Sequence, residues 1–237
     1  MDMTFDSIRD IQLYQSASGY RFSVDSLLLS DFVTLREAVS IADLGAGSGI
    51  IGILLAKKYP GASVDLFEIQ ESLLRLAEKN VLLNHLGGRV RAIKCDLRSQ
   101  ALASTSRRYD LVVSNPPFRR LKSGLLNAEE EKAVARHEIK LNLHEFVAAT
   151  ACLLRTKGRL CVIYHPSRLS ELIDTLRKWG VEPKRIRFVH STISSESKMV
   201  LLEAVKGGRT YLRVEKPLYI YEEDGGYTEE MEAIYNP

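Results

Sequence analysis

The stretch Asp43-Leu44-Gly45-Ala46-Gly47-Ser48-Gly49 decides the fold, because it lies between the pattern of a short apolar strand and the pattern of an apolar helix. Residues 40–43 are typical of a buried strand, and residues 49–58 are typical of a helix. Closely spaced glycines let a ligand approach the backbone, and the free N–H groups of a helix start can bind a carboxylate or a phosphate. The stretch therefore predicts a strand, a ligand-binding turn and a helix.

The alternation of strands and helices continues outward from this turn. Further strand patterns cover residues 63–68, 90–94, 109–114 and 159–164, and helix patterns cover residues 70–84, 143–156 and 167–179. Strand-like runs follow at residues 185–189, 199–205 and 211–221, with a tight turn predicted at Gly207-Gly208. We therefore expect an α/β fold: a Rossmann-like doubly wound, mainly parallel seven-stranded sheet with an antiparallel C-terminal edge.

The length of 237 residues fits a single domain, with residues 36–221 as its core, residues 1–35 as an N-terminal segment and residues 222–237 as an acidic tail. Hydrophobic residues make up 45% and charged residues 27%, a balance that excludes a disordered chain. The apolar runs are far shorter than the roughly 18 to 20 residues of a membrane span. Because the first residues also lack a secretory signal pattern, we expect a cytoplasmic protein with no membrane partner.

Composition also bears on metals and partners. The three cysteines lack CxxC spacing and the five histidines lack HExxH spacing, so we expect no metal. The net charge of +3 conceals a basic body, because six acidic residues crowd a tail that contains no lysine or arginine. A basic body suits a polyanionic partner.

The acids on either side of the glycines indicate the kind of ligand. Gly47, Gly49 and Gly52 satisfy the GxGxxG pattern of a dinucleotide site, yet the strand pattern ends at Asp43, four residues before Gly47. An acid at that position fits a ligand with a cationic amino group. Glu68 closes the next strand 19 residues after Gly49, where a carboxylate can bind both hydroxyls of a ribose. Together these residues predict a ribose-bearing cofactor.

The segment Asn115-Pro116-Pro117-Phe118 follows the fourth strand, at the edge where open α/β sheets bind ligands. The exocyclic amino nitrogen of adenine is a poor nucleophile because its lone pair is delocalised into the ring. Two acceptors beside that amino group, the Asn115 side-chain oxygen and the Pro116 carbonyl, would draw the pair out. Phe118 can stack on the flat substrate and hold its nitrogen in line with a methyl group. These four residues are therefore the predicted catalytic loop.

Taken in order, these motifs resemble those of the class I S-adenosylmethionine methyltransferases, specifically the amino-methylating branch. The resemblance includes the glycine stretch, Glu68, Asp96 and the Asn-Pro-Pro-Phe segment. More narrowly, Gly19-Tyr20-Arg21-Phe22-Ser23-Val24-Asp25-Ser26-Leu27-Leu28-Leu29 and Ala135-Arg136-His137-Glu138 resemble the bacterial tRNA adenine N6-methyltransferases that modify the valine tRNA beside its anticodon. Phe118 stands where such enzymes often have tyrosine, which keeps the stacking face and loses a hydroxyl.

The resemblance implies transfer of a methyl group from S-adenosylmethionine to N6 of an adenine in tRNA. The implied cofactor-binding residues are Tyr20, Phe22, Asp25, Asp43, Gly45, Gly47, Gly49, Glu68, Asp96, Leu97 and Asn115. The predicted RNA-binding residues are Arg119, Arg120, Lys122, Arg136 and His137. Residues 1–35 would cover the cofactor, and Asp96 with Leu97 would cradle its adenine. From the residues alone, Asp96 could equally cap a turn.

Three other functions are compatible with these residues. A glutamine side chain in a protein has an amide nitrogen with the same delocalised lone pair, and enzymes that methylate it use a similar loop. Guanine N2 in ribosomal RNA is another possible target. A cofactor-binding RNA module without turnover belongs to a different class, and the intact Asn115 argues against it.

Overall fold

A computed structural model describes residues 3–16, 24–36, 40–99, 106–116 and 142–236. The strands are β1 (Met3–Ile8), β2 (Ile11–Ser16), β3 (Ser40–Leu44), β4 (Ser63–Glu68), β5 (Val90–Lys94), β6 (Tyr109–Ser114), β7 (Leu154–Tyr164), β8 (Val181–His190), β9 (Ser197–Lys206), β10 (Arg213–Val214) and β11 (Leu218–Tyr219). The helices are α1 (Val24–Phe32), α2 (Ile50–Lys58), α3 (Glu71–Leu83), α4 (Leu143–Leu153), α5 (Leu169–Lys178) and α6 (Glu229–Tyr235), with a 3-10 turn at Pro166–Arg168.

The central sheet has the order β10-β8-β9-β7-β6-β3-β4-β5, and β11 also pairs with β8. Neighbouring strands from β7 to β5 run parallel, whereas β9 runs antiparallel to both β7 and β8. The predicted Rossmann-like, mainly parallel α/β fold is confirmed. Seven of the eight predicted strand runs correspond to β3 to β9, and the antiparallel strand β9 lies between β7 and β8. The two-residue strands β10 and β11 extend the sheet beyond β8.

The prediction of one long strand at residues 211–221 was wrong. Residues 211–221 form only the short strands β10 and β11, and both pair parallel to β8. A hairpin after Gly207-Gly208 cannot form with β9, because β7 and β8 already occupy both edges of β9. Between the two short strands, Pro217 cannot donate a backbone hydrogen bond to a continuous ladder.

One predicted helix is too long at its end. The helix predicted at residues 143–156 ends at Leu153, and β7 begins at Leu154, five residues before the predicted strand. Leu154, the C-cap residue, has a φ of −69° and a ψ of 135°, which is extended and not helical backbone. The chain therefore leaves the helix early.

Helices cover both faces of the sheet because successive strand residues point to opposite sides. In β3, for example, Ile41 belongs to the core under α1, α2 and α3, whereas Ala42 belongs to the core under α4 and α5. Both side chains are fully buried. The apolar runs of the parallel strands are thus explained by two cores on one sheet.

Both ends of the described chain pack on the core beside α1, α2 and α3. The antiparallel hairpin of β1 and β2 lies against α3, and Leu13 in β2 is fully buried. At the other end, Thr228 caps α6, whose Met231 and Ile234 are buried. The acidic tail therefore contains an ordered helix. Among the described helices, none is long and apolar enough to cross a membrane.

Candidate active site

The parallel strands β3, β4, β5, β6 and β7 end at one edge of the sheet, which is called the carboxyl edge below. Hydrogen bonds link the strand ends along this edge: Ser114 Oγ donates to the Leu44 carbonyl at 2.7 Å, and the Cys95 N–H donates to the Glu68 carbonyl at 3.0 Å. The predicted residues Asp43, Glu68, Asp96 and Asn115 stand at or just after these ends. The structure thus brings four separate motifs to one edge, where open α/β sheets bind ligands.

The turn after β3, residues 45–49, is called the glycine loop below. Gly45, Gly47 and Gly49 have φ values of 70°, 58° and 85°, in the left-handed region that favours glycine. A Cβ atom added at Gly45 or Gly47 would meet open space, whereas one at Gly49 would lie 3.0 Å from Leu66 Cδ1. The first two glycines therefore leave room beside the backbone for a ligand, and the third permits close packing of α2 on β4.

Asp43 is buried at the end of β3. Its Oδ2 accepts a hydrogen bond from the Gly52 N–H at 3.0 Å, and its Oδ1 has no hydrogen-bond partner among the described residues. Burial raises the pKa of this carboxyl group from its ordinary value of 3.8 to about 7; the Gly52 N–H opposes the rise and the nearby Glu68 carboxylate adds to it. A buried acceptor without a partner is suited to a cationic ligand group or a donor reaching the glycine loop.

Glu68 is turned toward the backbone. Its Oε2 accepts from the Gly47 N–H at 2.9 Å, and its Oε1 accepts from the N–H groups of Ile69 and Gln70 at 2.9 and 2.8 Å. The side chain is 5% exposed. A carboxylate has about four acceptor positions, so three bonds leave capacity for a further donor. Glu68 thus holds the glycine loop and still can accept from a ligand hydroxyl.

Asp96 occupies the turn after β5. Its carboxylate accepts from the Arg98 backbone N–H at 3.0 Å and from Arg98 Nη2 at 2.6 Å. The hydrogen bonds from the Arg98 side chain lower the pKa of Asp96. The turn-capping alternative therefore describes the geometry seen here, and contact with a cofactor adenine remains a prediction for Asp96 and the following Leu97.

Asn115 and Pro116 open onto a cleft at the ends of β6 and β7 and the start of β9. The cleft is lined by Asp25, Asn115, Pro116, Ile163, Tyr164, His165, Lys198 and Met199. Lys198 and His165 are exposed, and His165 Nδ1 lies 2.8 Å from Ser167 Oγ. Because β9 runs antiparallel to β7, its first residues reach the same edge as the end of β7. Periodicity along the sequence gives no sign of this neighbourhood.

Several predicted site residues lie outside the described residues. These are Tyr20, Phe22, Pro117, Phe118, Arg119, Arg120, Lys122, Arg136 and His137. Asp25 is described, at the beginning of α1, and it lines the same cleft as Asn115. No group of three or more His, Cys, Asp or Glu side chains in the described parts of the chain is arranged to hold a metal ion.

This combination of a doubly wound sheet, a glycine loop with adjoining acids and an Asn-Pro segment at the carboxyl edge defines the class of S-adenosylmethionine-dependent methyltransferases. The chain belongs to the methyltransferase small domain family, whose model matches residues 23–178. It is therefore a methyltransferase, and its methyl donor is S-adenosylmethionine.

Curated relatives match most of the chain. A protein of Pedobacter heparinus named tRNA1(Val) (adenine(37)-N6)-methyltransferase is 27% identical over 95% of this chain and 94% of its own length. A protein of the same name from Porphyromonas gingivalis is 30% identical, over 83% of this chain and 79% of its own length. The similarity thus extends well beyond the individual motifs.

Solved structures share the fold. A predicted O-methyltransferase from Agrobacterium tumefaciens superposes with a TM-score of 0.72 at 22% identity, covering 89% of this chain and 95% of that one. A 16S rRNA N2 methyltransferase from Thermus thermophilus, in complex with AdoMet and guanosine, superposes with a TM-score of 0.60 at 21% identity, covering 86% and 50%. At these identities the likeness concerns the fold.

Proposed function

We propose that this chain transfers the methyl group of S-adenosylmethionine to N6 of an adenine in tRNA, and specifically to adenine 37 of tRNA1(Val). The observation that carries the proposal is the Asn115-Pro116 pair at the end of β6, which opens onto a cleft at the carboxyl edge of the sheet. The two relatives described above, which bear the name of this activity, match 95% and 83% of the chain. The proposed target therefore agrees with both the chemistry of the loop and the relatives' names.

The residues present fit the cofactor. The open space beside Gly45 and Gly47 admits a ligand, and the unpaired Oδ1 of Asp43 supplies a buried acceptor. We assign Asp43 and the glycine loop to the methionine part, Glu68 to the ribose, and Asp96 with Leu97 to the adenine. Tyr20, Phe22 and Asp25 complete this assignment. When bound, S-adenosylmethionine supplies an electrophilic methyl group.

The protein's part in the reaction is to prepare the amino nitrogen. The two N–H groups of the amino nitrogen donate hydrogen bonds to the Asn115 side-chain oxygen and to the Pro116 carbonyl, which localises the lone pair on nitrogen. Pro117 stiffens the turn and removes a competing backbone donor, and Phe118 stacks on the adenine. Substrate binding holds the nitrogen in line with the methyl group. The chemical step therefore does not include the entropy cost of bringing two free molecules together in the right orientation.

RNA binding is assigned to basic residues of two sequence segments and to Lys198. The sequence places Arg119, Arg120 and Lys122 directly after the catalytic loop and Arg136 with His137 further along. Lys198 joins them because it is exposed and lines the cleft that Asn115 lines. When an adenine is flipped out of the RNA toward Asn115, the phosphates of its nucleotide come to the edge of this cleft. Lys198 can neutralise one of those phosphates there.

The test is incubation with labelled S-adenosylmethionine and separate tRNA, ribosomal RNA and protein fractions, followed by digestion and identification of the product. We expect N6-methyladenosine from tRNA alone. Labelled N2-methylguanosine from ribosomal RNA or N5-methylglutamine from protein would replace the proposed function by one of those reactions. Asn115→Ala should lose the product, whereas Asn236→Ala, at the exposed end of α6, is the matched control and should retain it.

A further inference from the structure

We infer that Asn80, in the last turn of α3, is a positioning residue that sets cofactor affinity by linking the glycine loop to the N-terminal hairpin. Its side chain is fully buried. Asn80 Nδ2 donates to the Ser48 carbonyl at 2.9 Å and to the Tyr14 carbonyl at 3.1 Å, while Oδ1 accepts from the Tyr14 N–H at 2.8 Å. One side chain therefore connects three segments that are far apart in the sequence.

The orientation of this carboxamide is determined by its partners. Two carbonyls require donors and one N–H requires an acceptor, so only one of the two flips of the amide satisfies all three. A buried amide with both donors and its oxygen engaged is held in a single rotamer, and its bonds are strengthened by the low dielectric of the interior. Asn80 is consequently a rigid link.

The Ser48 carbonyl lies just before α2. Gly49 is the N-cap residue of α2, and its carbonyl accepts the first backbone bond of the helix from the Ile53 N–H at 2.9 Å. The Gly52 N–H belongs to the first turn, which has no backbone acceptor within the helix, and it donates to Asp43 Oδ2 at 3.0 Å. Asn80 Nδ2 donates to the Ser48 carbonyl. Two side chains, Asp43 and Asn80, thus satisfy backbone groups at the start of α2 that the helix itself does not pair.

The glycine loop gains its shape from such external bonds. Ser48 lies between Gly47 and Gly49, both with positive φ, and one backbone bond within the loop, from the Gly49 N–H to the Ala46 carbonyl at 2.8 Å, spans it. The Gly47 N–H is held by Glu68 Oε2, and the Ser48 carbonyl is held by Asn80. Loss of the Asn80 bond leaves the loop bonded to β4, through the Phe67 carbonyl and Glu68, while the Ser48 carbonyl loses its bond to α3. The cofactor must then order the peptide at Ser48 when it binds.

Asn84 provides a matched comparison one helical turn later. It accepts from the Gln12 N–H at 3.0 Å and donates to the Gln12 carbonyl at 2.7 Å, the same arrangement that Asn80 makes with Tyr14. The spacing agrees, since two strand residues rise about 6.6 Å and four helix residues about 6 Å. Asn84 Nδ2 gives its second bond to the Asn80 carbonyl, not to the glycine loop. Asn84 therefore docks the hairpin only.

The inference rests on the proposed role of the glycine loop in cofactor binding, and it is tested with Asn80→Asp and Asn84→Asp. Each change keeps the shape and one acceptor, removes the NH2 group with its two donors, and introduces the same kind of buried carboxyl group in both variants. We expect Asn80→Asp to weaken binding of S-adenosylhomocysteine about tenfold by calorimetry, the loss typical of one buried hydrogen bond. Asn84→Asp should change the Kd less than twofold. Its Tm should nevertheless fall by about as much as the Tm of Asn80→Asp. Turnover at saturating S-adenosylmethionine should be nearly unchanged in both.

Two outcomes would overturn the inference: an unchanged Kd in Asn80→Asp, or an equal loss of affinity in the two variants. If wild-type protein fails to bind S-adenosylhomocysteine, the cofactor assignment itself is wrong, which is a separate result.

A second measurement needs no variant and covers the case in which Asn80→Asp does not fold. If Asn80 couples the hairpin to the cofactor site, cofactor binding must in turn stabilise the hairpin bond that Asn80 makes. Asn80 accepts from the Tyr14 amide, and Asn84 accepts from the Gln12 amide. S-adenosylhomocysteine should therefore slow hydrogen exchange more at Tyr14 than at Gln12. Equal protection of the two amides, or none, would show that Asn80 does not transmit the effect.

Discussion

Asp43→Asn should make the cofactor-free protein more stable at pH 8 while weakening its affinity for cofactor. The carboxyl group is buried, and its pKa is raised from 3.8 to about 7, chiefly by burial. A carboxyl group with a higher pKa in the folded chain holds its proton more tightly there. Its contribution to stability is therefore fully present below pH 4 and is lost as the pH rises from about 4 to about 7.

The size of the effect follows from the pKa values. A tenfold change in an ionisation constant corresponds to about 1.4 kcal/mol, so ionised Asp43 costs the folded state about 4 kcal/mol. Water penetration and local rearrangement reduce such costs, so about 2 to 4 kcal/mol is expected. The asparagine keeps an oxygen for the Gly52 N–H and carries no charge to bury. The variant should therefore lack this pH-dependent loss.

Urea unfolding of both proteins at intervals between pH 4 and pH 8 measures the effect. The difference between the two free energies of unfolding isolates Asp43 from other carboxylates that titrate in the same range. Calorimetry with S-adenosylhomocysteine tests the predicted loss of cofactor affinity. The affinity of the wild-type protein should rise between pH 6 and pH 8 as Asp43 ionises. The variant should bind more weakly, and its affinity should depend little on pH. Parallel stability curves for the two proteins would refute the reasoning.

Three further predictions concern other parts of the site. Asn115→Ala should slow single-turnover methyl transfer roughly a hundred to a thousandfold with cofactor affinity nearly intact, and a normal rate would make the loop a structural turn only. Lys198→Ala should lower the salt dependence of tRNA binding by about one phosphate contact, whereas Lys178→Ala, at a lysine paired with Asp174, should not. Gly52→Ala should lower the free energy of unfolding, measured in urea, by about 1 to 3 kcal/mol, because the new Cβ would lie 2.1 Å from a Leu66 methyl group. In the control Gly61→Ala, nothing lies within 4 Å of the new Cβ, so its free energy of unfolding should stay within about 0.5 kcal/mol of the wild-type value.

The sequence by itself determined the order of strands and helices around the glycine loop, because period-two and period-3.6 patterns are local properties of the chain. It also determined the chemistry expected of Asn115-Pro116, since the residue types and their place after a strand suffice for that interpretation. The predicted helix at residues 70–84 agrees with α3 to within one residue at each end. The methyltransferase family was likewise evident from motif order.

Only the tertiary structure decided which side chains meet. The position of β9 between β7 and β8 is a choice of strand order, which periodicity does not encode, and it brings Lys198 to the Asn115 cleft. The sequence likewise did not determine the partners of Glu68, nor decide between a ligand and a turn for Asp96, because a carboxylate at a strand end can bind a ligand, an arginine or the backbone with the same local sequence.

Asn80 is the clearest case of a residue whose partners the sequence does not reveal. Its position within α3 is apparent from the sequence, but its hydrogen-bond partners lie 32 and 66 residues away. Those contacts exist because the sheet, the hairpin and α3 pack together and exclude water from the carboxamide, which must then bond whatever backbone groups the fold places beside it.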